Sequence, residues 1–341
     1  MLSSRNWPSA ALAVAALLTA CAPSNRDYHH ELHFFGTIVS VSLYDVSSRQ
    51  DQAALEDLVD FFHDAGNNWY PWAPGELQRI NDAIAGGNAI EVSERLAELI
   101  RSAAFYESES HGRFNAGLGH LSELWGFQPV MLGLDKLPDA TLLAQLVDSK
   151  PSALDIRWDG STLSSPTQHL MLDLGGIAKG AILAISTGIL EQHGIENAIV
   201  NIGGDLTVVG RVNGRDAHVG IRSPDNGLAV AGLNVRSKET VVTSGNYERF
   251  VVIGGVRYTH VFDPLTGYPV DHTASVTVVD ADPVRADAAA TALMVGGAAA
   301  FDELVNLLEL RYALLIDVSG DTRLTPGMRE RLHWIDATDT P

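Results

Sequence analysis

The segment that most constrains the fold spans residues 171–180, where a short apolar stretch, predicted as a strand, ends at Asp173 and two glycines lead into a helix. Glycines at such a junction let backbone N–H groups approach a ligand closely, and a helix N-terminus favours phosphate. Lys179 adds a point charge. The spacing matches neither the Walker loop nor the G-x-G-x-x-G fingerprint. The segment therefore predicts a site for an anionic ligand such as a nucleotide, or simply a tight strand-to-helix turn.

Composition limits the classes of partner. The chain has 341 residues, of which 46% are hydrophobic and 19% are charged, which is sufficient for a packed core. Its formal net charge of -19 argues against binding to nucleic acid and against electrostatic docking on anionic lipid. An anionic ligand would therefore need a local cluster of donors or a metal ion.

The N-terminus has the layout of a secretory signal. Arg5 precedes an apolar run over residues 10–18, and small residues lead to Cys21, the one cysteine of the chain. The run is too short for a spanning helix, which needs about 20 residues. The segment resembles a bacterial lipobox, which implies cleavage before Cys21 and lipid attachment to it. An ordinary signal peptide with an incidental cysteine is the alternative.

These features predict three segments. Residues 1–20 are a lipoprotein signal peptide, residues 21–30 are a tether, and residues 31–335 are the folded domain. The domain would lie on the periplasmic side of a bacterial membrane, held by lipid alone, and the sequence leaves open which membrane.

The hydrophobic patterns predict an α+β fold, with mixed or antiparallel sheets, packed helices, and one domain of two lobes. Helices and strands come in runs, and short strands are often joined by glycine turns. Predicted helices cover residues 52–63, 94–110, 178–193, 286–295 and 299–308, and glycine turns close hairpins at 159–160, 254–255 and 319–320.

Two polar residues suggest a metal site. Asp287 and Thr291 are four residues apart on a predicted helix and therefore share a face. A carboxylate and a hydroxyl suit a hard cation such as Mg²⁺. Alternatively, Asp287 simply complements the helix dipole in the first turn, and Thr291 only packs.

Three further features each have a functional and a structural interpretation. His260 ends a strand near a carboxylate, so it is either a general base or a structural histidine. The loop over residues 67–75 carries Trp69, Tyr70 and Trp72, which form either a platform for a flat ring or a surface loop held by aromatic packing. Asn201-Ile202-Gly203-Gly204-Asp205 indicates backbone near a ligand or a bulge with a capping aspartate.

The order of the motifs is more specific than any one of them. In sequence they read D-L-G-G-I-A-K-G, N-I-G-G-D, T-S-G-N-Y, H-V-F-D-P-L-T-G-Y-P-V and A-D-A-A-A-T-A-L. This series resembles the ApbE family of FAD:protein FMN transferases over about residues 33–318. The resemblance implies Mg²⁺-dependent cleavage of FAD, with the FMN half transferred to a Thr or Ser hydroxyl of an acceptor protein and AMP released. It also implies that the acceptor is a respiratory or redox membrane protein.

The resemblance also implies roles for individual residues. His260 would activate the acceptor hydroxyl. The carbonyl of Gly176 and the side chains of Asp287 and Thr291 would be the Mg²⁺ ligands. The implied contacts to the flavin nucleotide are Phe35, Tyr70, Trp72, Arg113, Phe114, Asn115, Asp173, Lys179 and His260.

The sequence departs from the family pattern near the flavin contacts. Phe35 stands where methionine is usual, and Gly75 stands where serine is common. Two other functions use the same residues. An FAD pyrophosphatase would give FMN and AMP with water as the acceptor, and a non-catalytic lipoprotein would only bind flavin.

Overall fold

The structure, a computed structural model, describes residues 25–128 and 136–335. The predicted signal peptide and Cys21 lie outside the described residues. The first strand begins at Arg26, so the prediction that the tether extends to residue 30 was wrong. Residues 26–30 pair with the following strand, because the hairpin that begins the domain extends beyond the apolar pattern.

The secondary structure elements are as follows. The strands are β1 (Arg26–Phe34), β2 (Thr37–Val46), β3 (Ile90–Glu91), β4 (Arg157–Asp159), β5 (Thr162–Ser164), β6 (Ala198–Ile202), β7 (Asp205–Val209), β8 (Ala217–Arg222), β9 (Ala229–Val235), β10 (Thr240–Gly245), β11 (Phe250–Ile253), β12 (Val256–Thr259), β13 (Thr273–Asp280), β14 (Tyr312–Asp317), β15 (Thr322–Leu324) and β16 (His333–Trp334). The helices are α1 (Ser48–Asn68), α2 (Glu76–Ala85), α3 (Glu94–Glu109), α4 (Gly119–Leu124), α5 (Ala140–Asp148), α6 (Ala178–Gln192), α7 (Pro283–Leu307) and α8 (Pro326–Arg331).

An eight-stranded antiparallel sheet forms the centre, in the order β1-β2-β6-β7-β10-β13-β14-β15. Both faces of the sheet are covered in the middle. Alternate residues of each strand point to opposite sides and therefore enter different apolar clusters. Val242 and Val278 pack towards the helices, whereas their neighbours Val241 and Val279 pack towards the small sheet β16-β9-β8. The predicted α+β class with antiparallel sheets is confirmed.

A smaller lobe has its own apolar cluster. The hairpin of β11 and β12 packs on Trp125, Phe127, Leu143 and Phe262, with α4 and α5 nearby. The indole N–H of Trp125 donates to the carbonyl of Gly267 at 2.9 Å, which closes the turn after Phe262. This lobe lies beside the central sheet and carries the segment that leads to His260.

Helices α6 and α7 are the buried layer that carries the glycine motif. Helix α7 is long and apolar enough to cross a membrane by length and composition, but most of it is buried inside the protein, as expected of a core helix. The two helices predicted at 286–295 and 299–308 are parts of α7 and meet at Gly297, whose φ of 59° interrupts the helical backbone.

The predicted strand before Asp173 is absent, so that prediction was wrong. A single parallel bridge joins Met171 to Leu118. The side-chain amide of Asn81 takes the place of a partner strand: its Oδ1 accepts from Leu172 N at 2.8 Å, and its Nδ2 donates to Leu172 O at 3.0 Å. Backbone polar groups at a buried position need partners, and here one side chain provides both.

Candidate active site

The carboxylate of Asp287 caps helix α6 from a neighbouring helix. Its Oδ2 accepts from Gly180 N at 2.8 Å, and Asp287 is only 2% exposed. The approach requires glycine, because a Cβ at Gly180 would lie 2.2 Å from the carbonyl oxygen of Pro283. Burial raises the pKa of Asp287, while the Lys179 ammonium and the α6 backbone N–H groups oppose this. A buried carboxylate thus sits at the positive end of α6.

Thr291 lies one turn further along α7 and faces the same segment. Its Oγ1 donates to the carbonyl oxygen of Gly176 at 3.4 Å. The ring of Phe114 closes the other side, since a Cβ at Gly176 would lie 3.3 Å from Phe114 Cε2. The three predicted metal ligands come from α7 and from the segment just before α6, more than a hundred residues apart in sequence, and the two segments meet here.

The donor set at this point consists of oxygen atoms. A carbonyl, a hydroxyl and a carboxylate are hard ligands, which suits Mg²⁺ and not a soft transition metal. Among the described residues no cluster of three His, Cys, Asp or Glu side chains could hold a metal ion alone. A cation here would therefore take its further ligands from water or a phosphate, as Mg²⁺ commonly does.

An aspartate missed among the predicted site residues pairs with Lys179. Asp205 is 1% exposed; its Oδ1 accepts from Thr243 N at 2.8 Å, and its Oδ2 contacts Lys179 Nζ. Burial acts against the ammonium charge, but the carboxylates of Asp205 and Asp287 outweigh it and raise the pKa of Lys179. The signal was present in the N-I-G-G-D motif, whose aspartate could also be interpreted as a cap.

Asp173 is held in a defined orientation at the other side of the glycines. Its Oδ1 accepts from Gly175 N at 3.0 Å, and its Oδ2 accepts from Ser122 Oγ at 3.1 Å. Tyr70 lies near it: burial and the charge of Asp173 raise the pKa of Tyr70, and the charge of Arg249 lowers it. Asp173 and Tyr70 therefore belong to one neighbourhood.

The aromatic loop divides between core and site. Trp69 is buried and packs edge-on against Phe61, with ring centroids 5.9 Å apart, so its role is structural. Trp72 is half-buried, and no hydrogen bond or ring contact within the described chain links it to the other predicted site residues. Tyr70 lies within electrostatic reach of Asp173.

Phe35 lies at the β1–β2 turn, beside a separate cavity. It has a φ of 56°, an uncommon conformation for a bulky residue, and packs edge-on against Phe62 at 5.8 Å between ring centroids. A cavity of about 650 Å³ is lined by residues 33–38 with Phe62, His63, Gly66 and Asn67. The turn adjoins the N-I-G-G-D motif, because a Cβ at Gly203 would lie 2.7 Å from Thr37 Oγ1.

The departure at Gly75 has a steric reason. A Cβ at this buried position would lie 2.0 Å from the carbonyl oxygen of Asn67, at the end of α1. In this chain the loop passes so close to α1 that a serine would require the backbone to move.

The three residues of the segment Arg113-Phe114-Asn115 have different environments. Phe114 is buried under Gly176 as described above. The amide of Asn115 serves its own loop, with Nδ2 donating to Pro151 O at 3.0 Å and Oδ1 accepting from Gly117 N at 2.7 Å. Arg113 is half-buried, and its side chain forms no ion pair with the described residues.

His260 is held as a neutral imidazole with a defined tautomer. Its Nδ1–H donates to the carbonyl of Arg249 at 3.2 Å, which leaves the lone pair on Nε2. Burial and the Arg249 guanidinium lower the pKa of His260 to about 4, and the Lys179 charge acts in the same direction. The influence of Lys179 links His260 to the motif centred on Asp173 and Asp287.

Comparison with known proteins identifies relatives along most of the chain. The model of the ApbE family matches residues 35–315. An FAD:protein FMN transferase of Rhodobacter capsulatus is 35% identical over 324 residues, which is 94% of this chain and 60% of that protein. One from Vibrio cholerae is 29% identical over 86% of this chain and 88% of its own length. The chain thus spans somewhat less than two thirds of the Rhodobacter protein.

Solved structures share the fold. An ApbE protein of Thermotoga maritima superimposes with a TM-score of 0.82 and 26% identity, covering 90% of this chain and 99% of that chain. A flavinyl transferase ApbE of Pseudomonas stutzeri, in its apo form, gives a TM-score of 0.79 at 24% identity, covering 90% of this chain and 97% of that chain.

Proposed function

The chain belongs to the ApbE family, and we propose that it transfers the FMN half of FAD to a Thr or Ser hydroxyl of an acceptor protein in a Mg²⁺-dependent reaction. The observation that carries this proposal is the convergence of Gly176 O, Thr291 Oγ1 and the Asp287 carboxylate beside Lys179. A buried, largely oxygen-lined point at a helix N-terminus suits a phosphate with a hard cation.

The residues present fit Mg²⁺. The ligands would be Gly176, Asp287 and Thr291. Burial disfavours the charged carboxylate of Asp287 and raises its pKa, and a bound cation would offset this effect by neutralising the charge. When bound, the cation neutralises phosphate charge and assists the leaving group. The strongly acidic chain makes such neutralisation more necessary for an anionic substrate.

The protein side chains then have distinct tasks. Lys179 offers an ammonium to the pyrophosphate, and Asp173 and Tyr70 form the neighbouring wall for the flavin nucleotide. Nε2 of His260 accepts the proton of the acceptor hydroxyl while its oxygen bonds to the FMN phosphorus and the bond from that phosphorus to the AMP oxygen breaks. The anionic substrate would raise the pKa of His260 from about 4 and so increase its basicity.

The location and the partner are also proposals. The lipobox-like segment ending at Cys21 supports a lipid anchor on the periplasmic side of a bacterial membrane. A tethered enzyme would meet acceptors at the same membrane, so a respiratory or redox membrane protein with an accessible Thr or Ser is the proposed partner.

One assay separates this function from its alternatives. The purified protein is incubated with FAD, MgCl₂ and a membrane extract from a strain of the source bacterium that lacks the gene. Release of AMP together with a covalently fluorescent flavin band supports transfer. AMP with free FMN and no labelled band would instead indicate a pyrophosphatase. FAD binding without AMP release would indicate a non-catalytic flavin protein.

A matched pair of variants tests the metal site. Thr291→Val removes the hydroxyl at Gly176 and should lower AMP release on the order of 10²-fold, as expected for loss of one electrostatic contact in the transition state. Thr187→Val is the control, since the Thr187 hydroxyl bonds the carbonyl of Leu183 within α6 at 3.0 Å. Equal activity of the two variants would remove Thr291 from the mechanism.

A further inference from the structure

Two buried carboxylates share one ammonium at the N-terminus of α6. Asp205 and Asp287 are 1% and 2% exposed, and both raise the pKa of Lys179. The contact is made with Asp205, whose Oδ2 meets Lys179 Nζ. Asp287 is held instead by the backbone N–H of Gly180.

The three groups differ in their freedom to move. Asp205 is fixed, because its Oδ1 accepts from Thr243 N at 2.8 Å. Its Oδ2 has no partner among the described residues other than Lys179. The Lys179 ammonium stands at the end of a four-carbon stem with rotatable bonds, and its contact with Asp205 holds it in place. Without that contact, Asp287 is the other buried carboxylate that attracts it.

A divalent cation and an ammonium compete for the same carboxylate, because two positive charges at one buried point repel each other strongly. We propose that Asp205 is a positioning residue that draws the Lys179 ammonium away from Asp287 and thereby keeps Asp287 available to the cation. The proposal rests on the function proposed above, since it takes Asp287 as a metal ligand.

Asp205 also serves a second purpose in this arrangement. The ammonium that it holds stays beside the glycine motif, where a phosphate would lie, instead of occupying the cation position. Asp205 therefore keeps the two positive charges apart: the ammonium of Lys179 lies at Asp205, and the cation lies at Asp287.

Binding of Mg²⁺ to the FAD-free protein, measured by calorimetry, tests this without any turnover. Asp205→Asn should weaken Mg²⁺ binding by about 10-fold or more, the range found for groups that orient metal ligands. The exposed Asp225→Asn is the control for the change in net charge and should leave the affinity unchanged.

A second background distinguishes positioning from simple charge. If Asp205 acts by holding the ammonium, Asp205→Asn should cost more affinity with Lys179 in place than in the Lys179→Met background. If Asp205 acts only by its own negative charge, the loss should be equal or larger without the ammonium, because nothing then offsets that charge. The second result would overturn the proposal.

A crystal structure of Asp205→Asn without metal gives an independent outcome where the Lys179→Met variant does not fold. Lys179 Nζ within hydrogen-bond distance of Asp287 supports the proposal, and an ammonium turned to solvent overturns it. Wild-type protein that binds no Mg²⁺ would overturn the metal site itself and this inference with it. Wild-type binding without coupling between the variants overturns only the role of Asp205.

Discussion

Gly180 is the point where helices α6 and α7 touch, and its substitution tests whether their approach builds the site. A Cβ there would lie 2.2 Å from Pro283 O, 2.8 Å from Pro283 C and 2.9 Å from Val284 Cα. All three atoms belong to the backbone, so no side-chain rotation relieves the contact. Gly180→Ala must therefore push the start of α7 away from α6.

The magnitude follows from that displacement. Restoring van der Waals contact requires a shift of roughly 1 Å. Overpacking of this kind costs about 1–3 kcal/mol, and the higher helix propensity of alanine offsets less than about 1 kcal/mol in the first turn. Asp287 would move with α7, and a misplacement of about 1 Å can lower a rate by roughly 10²-fold. We expect that loss in AMP release, with a net destabilisation of about 1–2 kcal/mol.

The assay needs stability and activity on the same samples. Urea unfolding gives the free energy of unfolding, and single-turnover AMP release from FAD with Mg²⁺ gives the rate. Gly188→Ala is the matched control, because it lies in the same helix and a Cβ there would meet nothing within 4 Å. It should keep full activity and gain up to about 1 kcal/mol.

One result would refute the reasoning. If Gly180→Ala unfolds and reacts as the wild type does, the close contact of the helices does not position Asp287. A variant that is destabilised but fully active would show that the contact matters for folding alone.

Three further predictions address the surrounding residues. Arg249→Gln removes a charge that lowers the pKa of His260, so that pKa should rise from about 4 towards 6.5 in an NMR titration, and protonation of the imidazole should then destabilise the fold less between these pH values. Trp69→Ala should cost about 3–5 kcal/mol in urea unfolding, whereas Tyr70→Ala should weaken FAD binding in fluorescence titrations with a smaller loss of stability. Gly75→Ser should cost about 1–3 kcal/mol in thermal or urea unfolding, because its Cβ would lie 2.0 Å from a backbone carbonyl.

Local pattern was sufficient for many elements of the fold. The helices predicted at 94–110 and 178–193 match α3 and α6 to within one residue, and the glycine turns at 159–160, 254–255 and 319–320 close hairpins. Periodicity and turn residues report which face of a segment is buried, and this is a local property. The same reasoning was wrong for the stretch before Asp173, because the amide of Asn81 and the loop at 116–119, rather than a strand, satisfy its backbone.

The arrangement of the site was beyond local reasoning. The sequence by itself placed Asp287 and Thr291 on one helix face. It also predicted that Lys179 adds a positive charge at the start of the helix that follows the two glycines. Only the tertiary structure brought Gly180 to Asp287 and Gly176 to Thr291, pairs separated by 107 and 115 residues. It also paired Lys179 with Asp205 and left Trp69 in the core. Such contacts depend on how closely α6 packs on α7. That distance cannot be predicted from the residues that neighbour each position in sequence.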